Sequence, residues 1–317
     1  MLLFGLLLTA AQAVFAQQVP RPPEAAQPHS RGDEPAATFK VNVKLVNVFT
    51  TVTDESGAPV SGLNKNDFHV FEDGVEQQIA VFNRESELPL SVVLAVDASL
   101  STRKDLPLEL ESAKRFAHDI LRPVDAIAVY QFSQFVSEVI PFTHDLRVVD
   151  RGISQIHAQS STALYDAIYL ASRALIPRDG RKVLVVITDG GDTSSRISYG
   201  EAVRAAQTAE TIVYSIIMVP IEANAGRDIG GEHALIQISQ DTGGRHYYAS
   251  NPNGLDQAFQ QISEELRTQY LLGYYPARQV GGDFRRIRVV VQPQAGKISG
   301  TGLRVRHRTG YYNSKLE

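Results

Sequence analysis

Several short segments of the chain are apolar at every position, among them V-V-L-A-V at 92–96 and V-L-V-V-I at 183–187. A strand with water on one face alternates polar and apolar residues. A strand with no polar position is buried on both faces and belongs to a mostly parallel sheet covered by helices. The spacing predicts strands over residues 92–96, 125–132, 136–142, 182–187, 212–219 and 246–249. Helical periodicity fills the gaps, over 102–121, 145–156, 163–175, 201–209, 234–242 and 255–268. In the first of these, Leu106, Leu110, Ala113, Ala117, Ile120 and Leu121 form one stripe, and Pro107 is tolerated because it lies in the opening turns. Residues 88–268 are therefore expected to form one α/β domain, doubly wound around a mostly parallel sheet.

Both flanks carry a period of two instead. Phe39, Val41, Val43 and Leu45 alternate with Lys40, Asn42 and Lys44, and a second strand runs to about Val52. Residues 54–57, D-E-S-G, are a turn by composition, and 63–68 a short helical turn. Asp73-Gly74 between apolar-rich runs predicts a hairpin. After the α/β region, strands are predicted over 270–275, 285–291 and 302–308, with Arg304, Arg306 and Arg308 as the solvated face of the last. Neither flank, 38–87 or 269–317, is large enough to close a core alone. Together they predict one small β-sandwich assembled from both ends of the chain, with the α/β domain inserted.

Residues 1–16 are an apolar stretch closing in small residues, which predicts an export signal cleaved after Ala16 or Ala13, although no Lys or Arg precedes the apolar core. A membrane anchor needs about 20 apolar residues, and this run stops at Ala16. The mature chain is thus expected to have no stable membrane span and to act in the periplasm, at the cell surface or in the medium. Residues 17–37 hold five prolines and almost no large apolar side chain, so they are expected to be a disordered linker. Arg31-Gly32-Asp33 within it reads as a chance tripeptide. A net charge of -4 builds no field for nucleic acid or an anionic membrane, and the absence of cysteine excludes disulfides, thiolate metal sites and Cys nucleophiles.

The chemistry gathers at the ends of the buried strands. In S-V-V-L-A-V-D-A-S-L-S, residues 91–101, the apolar run stops at Asp97 and is followed at every second position by Ser99 and Ser101. In extended backbone, residues two apart point the same way, so a carboxylate and two hydroxyls can converge, an all-oxygen set that suits a hard cation. Asp189 closes V-L-V-V-I-T-D, and Ser160-Ser161-Thr162 opens the helix A-L-Y-D-A-I. Ligand sites in open α/β sheets lie beyond the carboxyl ends of the strands, where all three segments are expected. Asp166 and Asp192 lie close by in sequence. The helix dipole alone favours Asp166 in its first turn, and neither is expected to be a ligand.

D-A-S-L-S, then S-S-T, then T-D-G, in this order and spacing, resemble the metal-ion-dependent adhesion site of the von Willebrand factor type A family. The phrases F-H-V-F-E-D-G and R-T-G-Y-Y in the flanks look like the bacterial, exported members related to it. The resemblance covers roughly residues 88–268 and implies a six-stranded sheet with one short antiparallel edge strand, here 136–142, and Mg²⁺ at its top, with Mn²⁺ or Ca²⁺ as alternatives. It further implies that Ser99, Ser101 and Thr162 ligate the metal through hydroxyls, and Asp97 and Asp189 directly or through water. The sequence departs from the family at Ser160-Ser161, where glycines are common.

Three neutral hydroxyls leave two aspartates to supply the negative charge, so the metal would stay electrophilic and keep a position for an outside carboxylate. The expected function is a non-catalytic, adhesion-type protein-binding module of the bacterial envelope whose partner presents an Asp or Glu. Two other readings stand beside it. One is a scaffold or assembly subunit with a dispensable metal. The other is a Mg²⁺-dependent phosphoryl-transfer enzyme or a hydrolase, but Asp97 is followed by serines rather than a second carboxylate, and no His falls in a triad motif.

Overall fold

A computed structural model describes residues 45–84, 88–219, 229–277, 284–293 and 302–312. The expected export signal, the linker, Arg31-Gly32-Asp33 and the strand beginning at Phe39 lie outside the described residues. In chain order, β1 (Val46–Thr53) leads through a 3-10 turn (Lys65–Asp67) to β2 (Phe68–Glu72), β3 (Val75–Gln77) and β4 (Ile79–Asn83). The α/β region follows as β5 (Leu90–Asp97), α1 (Leu106–Ile120), β6 (Ala126–Phe132), β7 (Val136–Thr143), α2 (Leu146–Ile153), α3 (Leu164–Leu175), β8 (Arg181–Thr188), α4 (Tyr199–Thr208), β9 (Thr211–Met218), α5 (Ile229–Thr242), β10 (His246–Ala249) and α6 (Pro252–Thr268). The tail adds β11 (Tyr270–Tyr274), β12 (Phe284–Val291), β13 (Arg304–Arg306) and β14 (Gly310–Tyr312).

The central sheet has six strands in the order β10-β9-β8-β5-β6-β7, parallel except for β7, which runs antiparallel to β6. Alternate residues of β5 explain why it has no polar face. Val92, Leu94 and Val96 pack beneath α1, α2 and α6, while Val93 and Ala95 pack beneath α3, α4 and α5. Each helix lays one stripe on the sheet, as Leu106, Leu110, Ala113 and Phe116 do for α1. That helix begins at Leu106, later than the periodicity suggests. A start at residue 102 would place Pro107 in the helix interior, where its ring strikes a preceding carbonyl. Instead, the Thr102 hydroxyl turns back onto the Asp97 and Ser99 carbonyls at 3.1 and 3.0 Å.

Two four-stranded antiparallel sheets, β13-β1-β11-β4 and β14-β12-β2-β3, form the sandwich. The two ends of the chain meet in it directly, since β1 pairs with β11 (Val48 opposite Leu272) and β2 with β12 (Val70 opposite Val289). Both sheets contribute to one core containing Val48, Val52, Phe68, Val70, Leu272 and Val289. The hairpin at Asp73-Gly74 has φ of 48° and 82°, the pair of left-handed residues that a tight two-residue loop requires. Strand β14, hidden in the sequence behind an Arg/Gly/Tyr-rich run, pairs with β12.

Of the tail arginines expected on a solvated face, Arg304 is exposed, but Arg306 and Arg308 are not. Arg308 is only 7% exposed and donates to the Asn47 carbonyl at 2.7 Å. Arg306 donates to the Gly244 carbonyl at 3.0 Å and to Glu265 at 2.6 Å. Glu265, near the end of α6, also accepts from Tyr214 of β9 (2.7 Å) and Thr51 of β1 (3.3 Å). The strand is shorter than the 302–308 expected, ending at Arg306, and Arg306 and Arg308 lie against the α/β layer rather than water. Sandwich and α/β layer fall in one compact unit, residues 43–317.

Candidate functional site at the top of the central sheet

Strand β5 ends at the middle of the sheet, between β8 and β6, and Asp97 is its last residue, fully buried. One carboxylate oxygen, Oδ1, accepts the Ser99 amide at 2.8 Å, and Oδ2 accepts the Thr188 hydroxyl at 2.6 Å. The first bond folds the chain after β5 into a tight turn, and the second ties the ends of β5 and β8 together. The Ser99 and Ser101 hydroxyls are 2.9 Å apart, with Ser99 buried and Ser101 exposed. The site thus grades from a dry floor at Asp97 to open solvent at Ser101.

The segment carrying Thr162 is pinned from three sides. The Gln159 amide donates to the Ala98 carbonyl at 2.6 Å, and the Ala163 amide to the Ser133 carbonyl at 2.6 Å. Thr162 itself receives the amides of Thr193 and Ser194 on its carbonyl, at 2.8 and 3.1 Å, and gives its own amide to the Thr193 hydroxyl at 2.9 Å. Asp192 caps α3 from outside, accepting the Leu164 and Tyr165 amides, and Asp166 accepts the Arg196 and Ile197 amides. Both carboxylates hold backbone, which binds the loop after β8 to the start of α3. Behind Asp189, Gly231 of α5 packs so closely that a Cβ there would lie 2.3 Å from the Gly190 carbonyl oxygen.

Ser161 has φ of 63°, a left-handed conformation that costs a residue with a Cβ about 1–2 kcal/mol. This explains why glycine suits the position just before the threonine. Ser161→Gly is expected to stabilise the chain by about 1 kcal/mol, part of the relieved strain being offset by the greater freedom of glycine in the unfolded chain. The midpoint of urea unfolding measures it.

Burial pushes the Asp97 carboxyl up to about 6, against its hydrogen bonds from Thr188 and Ser99, and the charge of Asp189 adds to the rise. A carboxylate that ionises this reluctantly, beside hydroxyl oxygens and a half-buried second aspartate, is a setting that a cation relieves. Among the described residues no three His, Asp or Glu side chains lie together as a metal cluster. The residues that could hold an ion here are the hydroxyl-bearing Ser99, Ser101 and Thr162 with Asp97 and Asp189. Those oxygens fit a hard divalent ion that retains waters, and such an ion would supply an electrophilic centre for an oxygen ligand from outside.

One buried acidic residue beyond those expected stands out. Glu109, in the first turn of α1, is 2% exposed, and its Oε2 has no hydrogen-bond partner. Burial, then the charges of Asp97, Asp105 and Asp189, raise its carboxyl to about 8. The signal was available. Glu109 occupies the apolar stripe, three residues after Leu106 and four before Ala113, where a charged side chain is out of place.

The sequence model described as the von Willebrand factor type A domain matches residues 92–191, a span that contains Asp97, Ser99, Ser101, Thr162 and Asp189. A von Willebrand factor type A protein from Catenulispora acidiphila superposes with a TM-score of 0.50 at 11% identity, over 86% of this chain and 75% of its own. Conserved hypothetical protein BatB from Bacteroides thetaiotaomicron gives 0.46 at 23% identity, over 56% of this chain and 100% of its own. The vWF domain of the type V pili tip protein Mfa5 from Porphyromonas gingivalis gives 0.45 at 13%, over 56% and 94%. Comparison with curated proteins finds no match. Residues 92–191 therefore match the von Willebrand factor type A domain, and the six-stranded sheet with one antiparallel edge strand is the fold which that resemblance implied.

Proposed function

We propose that the top of the central sheet is a metal-dependent docking site for a protein partner, and that the protein works outside the cytoplasm. The domain class is a protein-interaction fold. The observation that carries the metal reading is the oxygen set itself. A fully buried Asp97 lies beneath two hydroxyls 2.9 Å apart that open toward solvent. Ser99, Ser101 and Thr162 would hold the ion through hydroxyls, and Asp97 and Asp189 directly or through water. Mg²⁺ suits these donors, and Mn²⁺ or Ca²⁺ are the substitutes. With neutral hydroxyls as three of the five donors, the ion would retain attraction for a carboxylate, so the partner's anchor would be an Asp or Glu. Leu100, 56% exposed between the two serines, gives that anchor an apolar shoulder.

Export rests on the apolar stretch at 1–16. No helix among the described residues is long and apolar enough to cross a membrane. A docking role uses every feature of the site without requiring a general base near it. The test is capture of a protein partner from envelope extract by the mature chain with Mg²⁺ or with EDTA, repeated with Asp97→Ala. Capture is expected to need the metal and to fall more than tenfold in the variant. Equal capture in EDTA would favour the scaffold reading, in which the metal is dispensable.

A further inference from the structure

We infer that Glu109 is an additional acidic residue of the metal site, an outer carboxylate that faces the ion's retained waters rather than the ion. The inference rests on the metal reading above and deepens it. Three observations lead to it. Glu109 is 2% exposed in the first turn of α1, the helix that follows the Asp97–Ser101 loop and packs on β5. Its Oε2 is buried without a hydrogen-bond partner, an arrangement that costs about 1–3 kcal/mol for a polar group and more for a charged one. The charges that act on its carboxyl are those of Asp97, Asp105 at the start of α1, and Asp189.

A structural role does not account for this arrangement. A buried glutamate kept for the fold carries an arginine or several donors, as Glu72 of this same chain does with Arg285, Tyr274 and Tyr311. Glu109 has acidic neighbours instead, so the free oxygen and the negative field both call for positive charge or for the hydrogens of water polarised by it. The five proposed ligands already surround the ion, so Glu109 is taken as a partner of its retained waters rather than of the ion itself. In that position it accepts from ordered water, orients it, and adds a negative charge that the hydroxyl ligands lack. Outer partners of this kind typically change metal affinity about 10–100-fold.

The test is isothermal titration of Mn²⁺ into the mature chain near pH 7, for wild type and Glu109→Gln, in two buffers of different ionisation enthalpy. Gln keeps the size and removes the charge. The variant is expected to bind at least tenfold more weakly. The wild type is expected to release on the order of one proton per metal, because the carboxyl gives up its proton when the cation arrives, and the variant correspondingly less. Proton release by the wild type can be read even if the variant folds poorly. Equal affinity and equal proton release in the two proteins would overturn the role of Glu109 and leave the metal site standing. No binding heat in the wild type would overturn both.

Discussion

Arg285→Ala should be among the most damaging single substitutions in the sandwich, lowering the unfolding free energy by about 3–5 kcal/mol. Glu72 is fully buried at the end of β2, and Arg285 of β12 reaches it with two nitrogens, Nε at 3.2 Å and Nη2 at 2.5 Å. The Tyr274 and Tyr311 hydroxyls donate to its other oxygen at 2.7 and 2.9 Å. One acidic side chain from the N-terminal flank thus joins three strands of the C-terminal flank, β11, β12 and β14. Removing the guanidinium leaves the carboxylate in a dry core with two neutral donors, and an uncompensated buried charge is what makes such truncations expensive. The size of the effect separates this pair from ordinary surface pairs. Arg147 and Asp145 are 3.3 Å apart with the arginine side chain 88% exposed, and breaking that contact should cost under about 1 kcal/mol. Urea unfolding of the two variants side by side measures the contrast.

The metal-free chain is expected to lose stability as pH rises from about 6.5 to about 8. Glu109 has its carboxyl raised from 4.5 to about 8, first by burial and then by three acidic neighbours. Between those values the folded chain holds a proton that the unfolded chain has released, so raising the pH favours unfolding. This contribution is fully present below the unfolded value and is gone above the folded one. Asp97 acts in the same direction over a lower window, 3.8 to about 6. His246 and His307 act in the opposite direction. Burial lowers both from 6.5, so the unfolded chain binds the extra proton and stability climbs with pH until about the unfolded value. The region above 6.5 therefore reports Glu109. One proton held by the folded chain alone changes stability by about 1.4 kcal/mol for each pH unit, so the loss there should reach on the order of 2 kcal/mol. Saturating Mg²⁺ should flatten or reverse the slope, because a cation stabilises the ionised carboxylates. Denaturation midpoints near pH 6.5 and pH 8, in EDTA and in Mg²⁺, give the comparison.

The central sheet could be read from the sequence because its strands are apolar on both faces, and because Asp97, Ser99 and Ser101 keep a spacing of two. The sandwich could be read as two half-units that each lacked a core, and the pairing of β1 with β11 is the contact that joins them. What stayed hidden depends on contacts distant in sequence. Arg306 and Arg308 alternate as a solvated face would, yet their partners Glu265, Gly244 and Asn47 come from elements far along the chain. Ser161 looked like a departure from a glycine pattern, whereas the backbone simply keeps the left-handed turn with a serine in it. Glu109 stayed hidden because its acidic neighbours Asp97 and Asp189 come from other elements of the sheet. A charged side chain on an apolar stripe was the available clue.

The central claim is that the oxygen set at the top of the sheet docks a partner through a divalent ion. Its most direct measurement is capture from envelope extract with four baits: wild type in Mg²⁺, wild type in EDTA, and Asp97→Ala and Asp189→Ala in Mg²⁺. Asp189 is half-buried and outside any strand or helix, so its variant guards against loss of folding at Asp97. The account predicts a protein retained by the first bait and absent from the other three, with both variants retaining a cooperative thermal transition. The same protein retained equally by all four would contradict it.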